Sequence, residues 1–524
     1  MGDLPQGNNE LLDGKGSGAS ATMTRGLINV STSRRVLLVL AAVALSGCMV
    51  GPDFREPDAP RATRYTERPL EAETVSSSTA AGGKQRFVPG AENLPEQWWS
   101  LYRSEPLDAL IRQGLAESPT LAVAQATLRK AQENLNAQTG ALLYPGVDAN
   151  LSASREKVSN ASFGAPGTSL FNLYNASVTV SYTLDAFGGS RRELESLQAQ
   201  VDFQRYQLQG AYLALTGNIV TTAIREAAIR AQIQSTREIL AAEDDQVRRV
   251  MRQFQLGGAS RLELIAQQAQ AAQTAATLPP LESLLAAARH QLAALIGQVP
   301  SEAAIPAFNL DSLHLPEDIP VSLPSELVRQ RPDIQAAEAL LHQASADIGV
   351  ATANLYPQIT LNGAFGAQSN QLHSLFAGPS LWSIGAGLLQ PLFHGGQLQA
   401  ERRAAIAAYD AADGVYRDTV LQAFRNVADV LRALEADART VKAQGEAEAL
   451  ARDTLELTRR QYQLGGTSYV ALLVAQRQYD TAKLGLILAQ ASRYADTAAL
   501  FQALGGGWWK VDSAASASQS SKVN

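Results

Sequence analysis

Apolar residues recur at helical spacing over long stretches of this chain and alternate with polar residues over four short ones. A period of three to four residues predicts amphipathic helices, and a period of two predicts strands with one apolar face. The predicted helices are 119–143, 188–255, 260–296, 332–355, 396–463 and 468–504, and the predicted strands lie near 147–151, 178–184, 358–366 and 382–390. Pro279 and Pro280 should kink the third helix, because a proline inside a helix removes a hydrogen bond. The pattern predicts an α+β protein dominated by long helices.

This order of elements occurs twice, and the two copies agree best where the long helices end. The segment RQFQLGGAS at 252–260 recurs as RQYQLGGTS at 460–468. Gly257 and Gly465 can adopt the left-handed conformation that ends a helix, and Ser260 with Glu263 has the capping-box spacing that starts the next one. Each segment predicts the turn of a helical hairpin. We call these turns the tips, and they comprise Leu256, Gly257, Gly258, Leu464, Gly465 and Gly466.

A short apolar run near the N-terminus has the features of a secretory signal. Arg34 and Arg35 precede the apolar segment 36–45, which is too short to cross a membrane as a helix. The run continues as Leu-Ser-Gly and then Cys48, the single cysteine of the chain, and it resembles a bacterial lipobox. It predicts that Cys48 is acylated and anchors the mature protein in lipid. The alternative is a chance cysteine behind an ordinary signal peptide, and Met1 and Met23 are both candidate starts.

Composition divides the chain into six parts. They are an N-terminal extension with signal peptide (1–47), a lipid-anchored extended leader (48–95), a first repeat (96–297), a proline-rich linker (298–331), a second repeat (332–505) and a flexible tail (506–524). Trp98 and Trp99 open the first repeat. We favour their packing within a short first helix over a role as membrane-interface anchors.

Helix lengths and strand number together predict an assembly of several chains. At a rise of about 1.5 Å per residue, each of the two longest helices is about 100 Å long, and the shorter pair of each repeat adds up to about the same length. Heptad spacing, as at Leu450, Leu457 and Leu464, predicts that these four rods pair as coiled coils. The chain has no apolar run of about 18 residues, so any membrane crossing would require strands. Four strands cannot close a barrel, because the smallest membrane barrels have about eight, and the chain must therefore oligomerise.

Charge and candidate ligands give no support to catalysis. The formal net charge is −6 with both signs interspersed, which argues against a nucleic-acid surface. The sequence has no Gly-Lys-Ser/Thr phosphate loop and no cysteine pair. Its five histidines, which lack metal-ligand spacing, lie at 290, 314, 342, 373 and 394. We expect neither an enzyme nor a cofactor or metal site.

Several of these motifs together resemble a known family, the TolC-like outer membrane factors. The resemblance rests on the lipobox followed by VGPDF at 50–54, the Trp98 segment, LPSELVRQRPDI at 323–334, NLYP at 354–357 and the two tips. The lipoprotein branch that serves efflux pumps of the resistance-nodulation-division type is the best match. The resemblance implies a homotrimer whose twelve strands form one outer-membrane β-barrel, continued by an α-helical barrel into the periplasm. It also implies that the tips bind a periplasmic adaptor (membrane fusion) protein and that an inner-membrane efflux transporter completes the pump.

The resemblance fails at the position where the family often closes the periplasmic mouth. Family members commonly have Leu-Leu-Asp-Ala-Gln after the second tip, and this chain has Leu-Leu-Val-Ala-Gln at 472–476. Val474 therefore replaces the family aspartate, and Val470 occupies the apolar constriction position on the same helical face. We expect an apolar collar that excludes water, and we therefore expect a resting conductance that changes little between pH 5 and 7. Plain helix packing is the alternative interpretation of both valines.

The sequence thus predicts a passive exit duct for drugs or other small toxic molecules across the periplasm and outer membrane. One alternative is the outer-membrane component of a type I protein secretion system. A more distant alternative is a coiled-coil scaffold or a surface adhesin, against which the four alternating strands argue. The exported substrate cannot be read from the chain, because a duct does not select what the pump delivers.

Overall fold

The computed structural model describes residues 49–79, 81–90, 94–164 and 166–508. The helices, in chain order, are α1 (Glu105–Glu117), α2 (Pro119–Leu143), α3 (Gly189–Gln255), α4 (Arg261–Ala275), α5 (Leu278–Leu295), α6 (Pro324–Gln330), α7 (Pro332–Ala353), α8 (Gln397–Gln463) and α9 (Tyr469–Ala503). The strands are β1 (Arg86–Pro89), β2 (Gly146–Ser159), β3 (Thr168–Leu184), β4 (Asp318–Val321), β5 (Gln358–Ser369) and β6 (Leu381–Leu389).

Two helices of equal length, α3 and α8, organise the fold. Each has 67 residues and is therefore about 100 Å long. Each begins where a strand segment turns sharply at a glycine with positive φ, Gly188 (79°) before α3 and Gly396 (83°) before α8. Glycine adopts this conformation without the steric cost that a Cβ would bring. The predicted bounds of both helices agree with the structure to within one residue.

The predicted helix 260–296 is two helices in the structure. Helix α4 ends at Ala275 and α5 begins at Leu278, which places Pro279 in the first turn of α5. A proline is tolerated there because the first turn has no intrahelical acceptor for its missing N–H. The proline pair therefore breaks the helix instead of kinking it. The corresponding helix of the second half, α9, is continuous over 35 residues.

A four-stranded antiparallel sheet, in the order β2-β3-β5-β6, connects the helical segments. Its register pairs Val178 with Phe365 and Phe365 with Trp382, so that apolar side chains align on one face of all four strands. Thr179 pairs with Ala364 and with Asp148 on the other, more polar face. Strands β2 and β3 are longer than predicted, because the pairing continues into segments rich in Ser and Asn that carry little apolar signal.

The leader is packed against the helices along much of its length. Its strand β1 pairs in parallel with β4 of the linker, and the amide of Val50 donates to the carbonyl of Phe187 at 3.1 Å. The linker likewise contains β4 and the short helix α6. The leader is therefore an extended segment that belongs to the fold, which its composition did not predict.

The largest apolar cluster lies where α1, α3, α7, α8 and α9 approach one another, and we call this part the central region. Trp98 is 1% exposed within it, and the indole N–H of Trp99 donates to Asp108 at 3.0 Å. The tryptophan pair is therefore part of the core, as the packing interpretation predicted. Helix α8 buries heptad-spaced residues here, Val420, Val427 and Leu434. The same spacing continues to the buried Val441 beyond this cluster.

The predicted heptad at Leu450, Leu457 and Leu464 does not pack within the chain. All three side chains are exposed, although they have coiled-coil spacing. Heptad spacing identifies an apolar stripe on a helix but does not say which other helix packs against it. The sequence therefore could not show which stripe is buried inside the protomer. Within the part of the chain that the structure describes, no helix has the length and apolarity that a membrane crossing requires.

Candidate functional site

Both tips have the same backbone geometry. Gly257 and Gly465 have φ values of 79° and 77°, as the sequence predicted. In each tip the next amide closes the turn, from Gly258 to the carbonyl of Gln253 and from Gly466 to that of Gln461, both at 2.8 Å. The leucines before the glycines, Leu256 and Leu464, are each 87% exposed. The two tips therefore expose matching leucine side chains next to glycine backbone that no side chain covers.

The second glycine of each tip is not required by the turn. A Cβ built on Gly258 or Gly466 would lie 3.6 Å from the nearest backbone oxygen, which is an ordinary van der Waals distance. Neither residue has a positive φ. A side chain would therefore fit within the protomer and would project from the surface of the tip.

The helices that follow the tips are capped by serine. Ser260 and Glu263 form the predicted capping box, since the hydroxyl accepts from the Glu263 amide at 3.2 Å and the carboxylate accepts from the Ser260 amide at 2.8 Å. Ser468 accepts from the Ala471 amide at 3.2 Å. The capping contact explains the position of Glu263 as a structural residue.

Val470 and Val474 lie on the face of α9 that points away from the protomer. They are 67% and 48% exposed, whereas Tyr469, Leu472 and Leu473 on the opposite side of the same turns are buried. Packing inside the protomer therefore does not account for the two valines. Their shared face is free to meet other chains.

Behind this face, α9 is held to α4 by polar contacts that the sequence analysis missed. The hydroxyl of Tyr469 donates to the side-chain oxygen of Gln267, and burial raises the pKa of Tyr469 well above its usual value. The guanidinium of Arg477 donates to the side-chain oxygen of Gln270 at 2.6 Å. Only the apolar neighbours of these residues had a recognisable period, and the polar ones had none.

Two carboxyl groups lie in the same region, Glu243 on α3 and Asp480 on α9. Glu243 is 0% exposed, and neither of its carboxylate oxygens has a hydrogen-bond partner. Burial, and then the nearby Glu243, raise the pKa of Asp480 to about 7, and Lys483 opposes that rise. The only feature of the sequence that could have drawn attention to Glu243 and Asp480 is the presence of an acidic residue on the buried face of a predicted helix.

The apolar face of the sheet is exposed over all four strands. The largest exposed side chains on it include those of Val147, Leu151, Phe365, Trp382 and Ile384. In water, an apolar face of this kind is normally covered by a core or a partner. Both edge strands, β2 and β6, also have one unpaired side in the described sheet.

The predicted lipidation site, Cys48, lies outside the described residues. The leader is bound directly after it by Arg192 of α3, whose guanidinium donates to the carbonyl of Val50 at 3.3 Å and to Asp53 at 2.7 Å. Arg192 also pairs with Glu195, at 2.7 Å. The sequence analysis did not single out Arg192, since its leader contacts lie about 140 residues away in the chain.

No group of three His, Cys, Asp or Glu side chains within residues 49–79, 81–90, 94–164 and 166–508 could hold a metal ion. The same residues form three exposed surfaces that other molecules could contact. They are the two tips, the valine face of α9 and the apolar side of the sheet. Long helical hairpins joined to such a sheet are the protomer architecture of an outer-membrane channel protein.

Comparison with known proteins gives the family. A family model described as outer membrane efflux protein matches residues 110–298 and 323–506, which is more than half of the chain. The chain belongs to the outer membrane efflux protein family, in agreement with its resemblance to the TolC-like factors.

Relatives and solved structures agree with this assignment. The chain is 31% identical over 443 residues to the pyoverdine export outer membrane protein OpmQ of Pseudomonas aeruginosa, covering 83% of this chain and 93% of OpmQ. It is 30% identical over 486 residues to the toluene efflux pump outer membrane protein TtgC of Pseudomonas putida, covering 91% of this chain and 96% of TtgC. The outer-membrane channel OprN superposes with a TM-score of 0.79 at 26% identity, over 88% of this chain and all of OprN.

The protein is therefore an outer-membrane efflux channel component and not an enzyme. One of these relatives, TtgC, is named as the outer membrane protein of a toluene efflux pump. The predictions of efflux function and of outer-membrane location are confirmed.

Proposed function

We propose that three copies of this chain form one continuous exit duct, with a twelve-stranded β-barrel in the outer membrane and an α-helical barrel below it in the periplasm. The observation that carries the proposal is the four-stranded sheet, which has two open edges and an exposed apolar face. Open edges are not tolerated in lipid, because unpaired N–H and C=O groups there cost several kcal/mol each. Pairing β2 of one copy with β6 of the next removes all of the edges.

The closure proposal predicts the mass of the detergent-solubilised protein and its sensitivity to one substitution. Light scattering should give about three times the mature chain mass. Val180→Pro should prevent assembly, because β3 pairs on both sides and a proline removes a ladder donor. Val180→Thr keeps a β-branched side chain and the N–H, and it serves as the matched control. A stable monomer of the wild-type protein would contradict closure.

The helical half of the duct would use the exposed apolar stripe of α8. Leu450 and Leu457 have heptad spacing and no partner within the described protomer. Packing them against a neighbouring copy would bury this surface at the gain expected for apolar side chains, about 1.5–3 kcal/mol for each fully buried leucine. The two strand edges and this stripe would then be covered by the same trimer.

The tips are the proposed docking surface for the periplasmic adaptor, which links the duct to the inner-membrane transporter. Leu256 and Leu464 supply exposed apolar side chains, and Gly258 and Gly466 leave the adjacent backbone accessible to a partner. Six such tips per trimer would form a ring at the periplasmic end.

Val470 and Val474 are the proposed constriction. Two outward-facing valines from each of three copies would form an apolar collar that excludes water and therefore ions. A planar-bilayer recording tests the duct as a whole: the wild-type trimer should have a very low resting conductance, and opening of the collar should raise it. A trimer that stays impermeable after the collar is made polar would contradict a duct.

Acylation of Cys48 would fix the leader in the outer membrane. The segment after it is bound by Arg192, so the anchor would be attached to a packed part of the fold. The relatives named for pyoverdine and toluene export favour small molecules as the cargo, and neither is named for protein secretion.

A further inference from the structure

The charged residues of the four-stranded sheet are few, and they are sorted between its two faces. The segments 146–184 and 358–392, which contain the four strands, have four of them: Asp148, Arg155, Glu156 and Lys157. All four are on β2, whose side chains alternate between the faces. Arg155 and Lys157 therefore lie on the apolar face with Leu151, whereas Asp148 and Glu156 lie on the polar one.

The two basic side chains lie directly beyond the apolar part of this face. On β3 the face runs from Tyr182, near helix α3, to Tyr174, with only apolar residues between them at every second position. Eight residues of strand span about 26 Å. At the tilt of a membrane barrel this is roughly 20 Å of height, close to the apolar band of about 25 Å that aromatic girdles flank in such barrels. Ala153 is opposite Tyr174, and the next two positions of the face on β2 are Arg155 and Lys157.

Neither basic side chain is neutralised within the protomer. The residues opposite Arg155 and Lys157 on β3 are Asn172 and Leu170, which are uncharged. Glu156 lies on the other face, where its carboxylate accepts a hydroxyl hydrogen bond at 2.8 Å. In the part of the chain that the structure describes, both basic side chains are exposed, and neither forms an ion pair or a side-chain hydrogen bond.

A neighbouring copy would bring no carboxylate to this surface either. In the proposed closure it contributes β6, and the segment 358–392 around that strand contains no aspartate or glutamate. The hairpin connection at 160–167 contains none as well. The two bases would therefore face the surroundings of the barrel without a counter-ion from the protein.

We propose that Arg155 and Lys157 bind the phosphate groups of the glycolipid that forms the outer leaflet of the outer membrane. The inference rests on the proposed trimeric barrel, because insertion of that barrel brings this face of the sheet to lipid. Guanidinium and ammonium groups form charge-assisted hydrogen bonds with phosphate oxygens. Two residues apart on one face of a strand, the two side chains begin about 7 Å from each other, so one headgroup can contact both. Three copies would place six bases around the barrel.

The position of the two bases favours a lipid phosphate over a free one. A basic side chain on the lipid face is costly at the bilayer midplane and nearly without cost near the interface, which is where the girdle at Tyr174 places Arg155 and Lys157. The apolar side chains below them on the same strand are open to acyl chains, and Leu151 is 76% exposed. A phosphorylated lipid satisfies the bases with its headgroup and covers the apolar face with its chains.

The test is the binding of defined lipids to the detergent-solubilised trimer, measured by native mass spectrometry. The probes are diphosphoryl lipid A and the same lipid with both phosphates removed. The wild type should bind the phosphorylated form about thirtyfold more tightly, since each base near an anionic surface contributes about a fivefold preference. The double variant Arg155→Gln and Lys157→Gln should lose this preference, and Arg155→Gln alone should lose about fivefold of it. Equal binding of the two lipids by the wild type would overturn the proposal.

The matched control removes two bases from another exposed surface. Arg129→Gln with Lys130→Gln, on helix α2, changes the net charge by the same amount and should keep the wild-type preference. A preference that survives in the Arg155 and Lys157 double variant, or one that the α2 variant loses to the same extent, would contradict a local phosphate site. Inorganic phosphate at the concentration of the lipid should not compete, and displacement of the lipid by it would refute the assignment to a lipid headgroup.

Light scattering of the same samples separates failure of the lipid site from failure of the barrel. A monomeric wild type would contradict the barrel, whatever lipid it binds. A trimer of normal mass without a preference for the phosphorylated lipid would contradict the lipid site alone. The double variant should also be a trimer and should still bind the dephosphorylated lipid, because both altered side chains are exposed and the apolar face is unchanged.

Discussion

In the central region, Arg493 is fully buried and donates to four groups of the leader: the carbonyls of Ala81 and Gly83, at 2.6 and 2.8 Å, and the side chains of Thr74 and Gln85, at 2.9 and 3.4 Å. Around the tips, Glu243 is equally buried and has no partner. A buried ion with several partners is expensive to separate from them, whereas a buried polar group without a hydrogen-bond partner weakens the packing around it. The two regions therefore differ in how strongly their polar groups resist separation.

Apolar packing differs in the same direction. The central cluster brings together residues of α1, α3, α7, α8, α9 and the Trp98 segment. The largest apolar cluster near the tips has four buried members, Val250, Leu264, Tyr469 and Leu473, and a second cluster there has three. A carboxyl group with a raised pKa occurs in both regions, so this property does not separate them. In the centre, burial and the adjacent Asp496 raise the pKa of Asp437 to about 7, and Arg493 opposes the rise as Lys483 does for Asp480. The comparison indicates that the helices of the central region keep their packing, whereas the helices near the tips can change theirs.

The largest effect is expected from changing the tip surface without changing the fold. The double variant Gly258→Phe and Gly466→Phe should abolish export in a drug-susceptibility assay, because the new side chains project into the proposed adaptor contact. Trimer mass and outer-membrane insertion should remain normal, since each Cβ meets only one backbone oxygen at 3.6 Å. Gly258→Ala with Gly466→Ala is the small-side-chain control. If export continued at the wild-type rate in the phenylalanine variant, the tips would be simple turns.

The next largest effect is expected on the free energy of unfolding, through the buried contacts of the central region. Arg493→Met should lower the free energy of unfolding by about 3 kcal/mol, because the leader carbonyls lose their buried donor. Urea unfolding in detergent measures the change. Arg439→Met, an exposed arginine bonded only within its own helix at 3.3 Å, should change it by less than about 0.5 kcal/mol. Equal effects of the two substitutions would contradict the comparison.

A smaller effect is expected at the constriction. Val470→Ser with Val474→Ser should raise the resting conductance several-fold, because hydroxyl groups hydrate a collar that valines keep dry. Both side chains point away from the protomer core, so stability should be nearly unchanged. Bilayer recordings of the trimer measure the leak, and Ala471→Ser, one residue along the helix, is the control. Equal leak in wild type and double variant would place the constriction elsewhere.

The smallest effect on transport is expected from removing the anchor. Mass spectrometry of the mature wild-type protein should show an acylated Cys48 at the N-terminus, and Cys48→Ser should lack the lipid. Export should fall only slightly, because the leader keeps its contacts with Arg192 and Arg493. An unmodified wild-type N-terminus at another residue would contradict lipidation. A complete loss of export would show that the anchor, and not the packed leader, holds the protein in place.

The sequence predicted the parts of the fold that repeat along the chain. Helices α2, α3 and α8 have the predicted bounds within one residue, because apolar periodicity and the glycines at their ends are local signals. Tip geometry was predictable for the same reason, since Gly257 and Gly465 need only their neighbours to define the turn.

The contacts that separate the two regions could not be predicted. Arg493 binds leader residues about 410 positions away, and no period links an arginine to Ala81 or Gly83. Glu243 is an ordinary charged residue in the sequence, and only the structure shows that it is fully buried without a hydrogen-bond partner. Leu457 is exposed and Leu434 is buried because different neighbours lie opposite them, and the sequence alone does not show which helix packs against each leucine.

The break between α4 and α5 has a mechanical consequence. Helix α4 ends at Ala275 and α5 begins at Leu278, so one helix does not continue through residues 276–277, and we expect a compliant joint there in the first hairpin. Helix α9 has no such joint and runs unbroken for 35 residues, about 50 Å, from Tyr469 at the second tip to the buried side chain of Tyr494 and beyond. We therefore expect a displacement of the first tip to be absorbed at this joint, and a displacement of the second tip to be transmitted along α9 to the centre. The second hairpin would therefore couple the movement of its tip to the central region more directly than the first hairpin does.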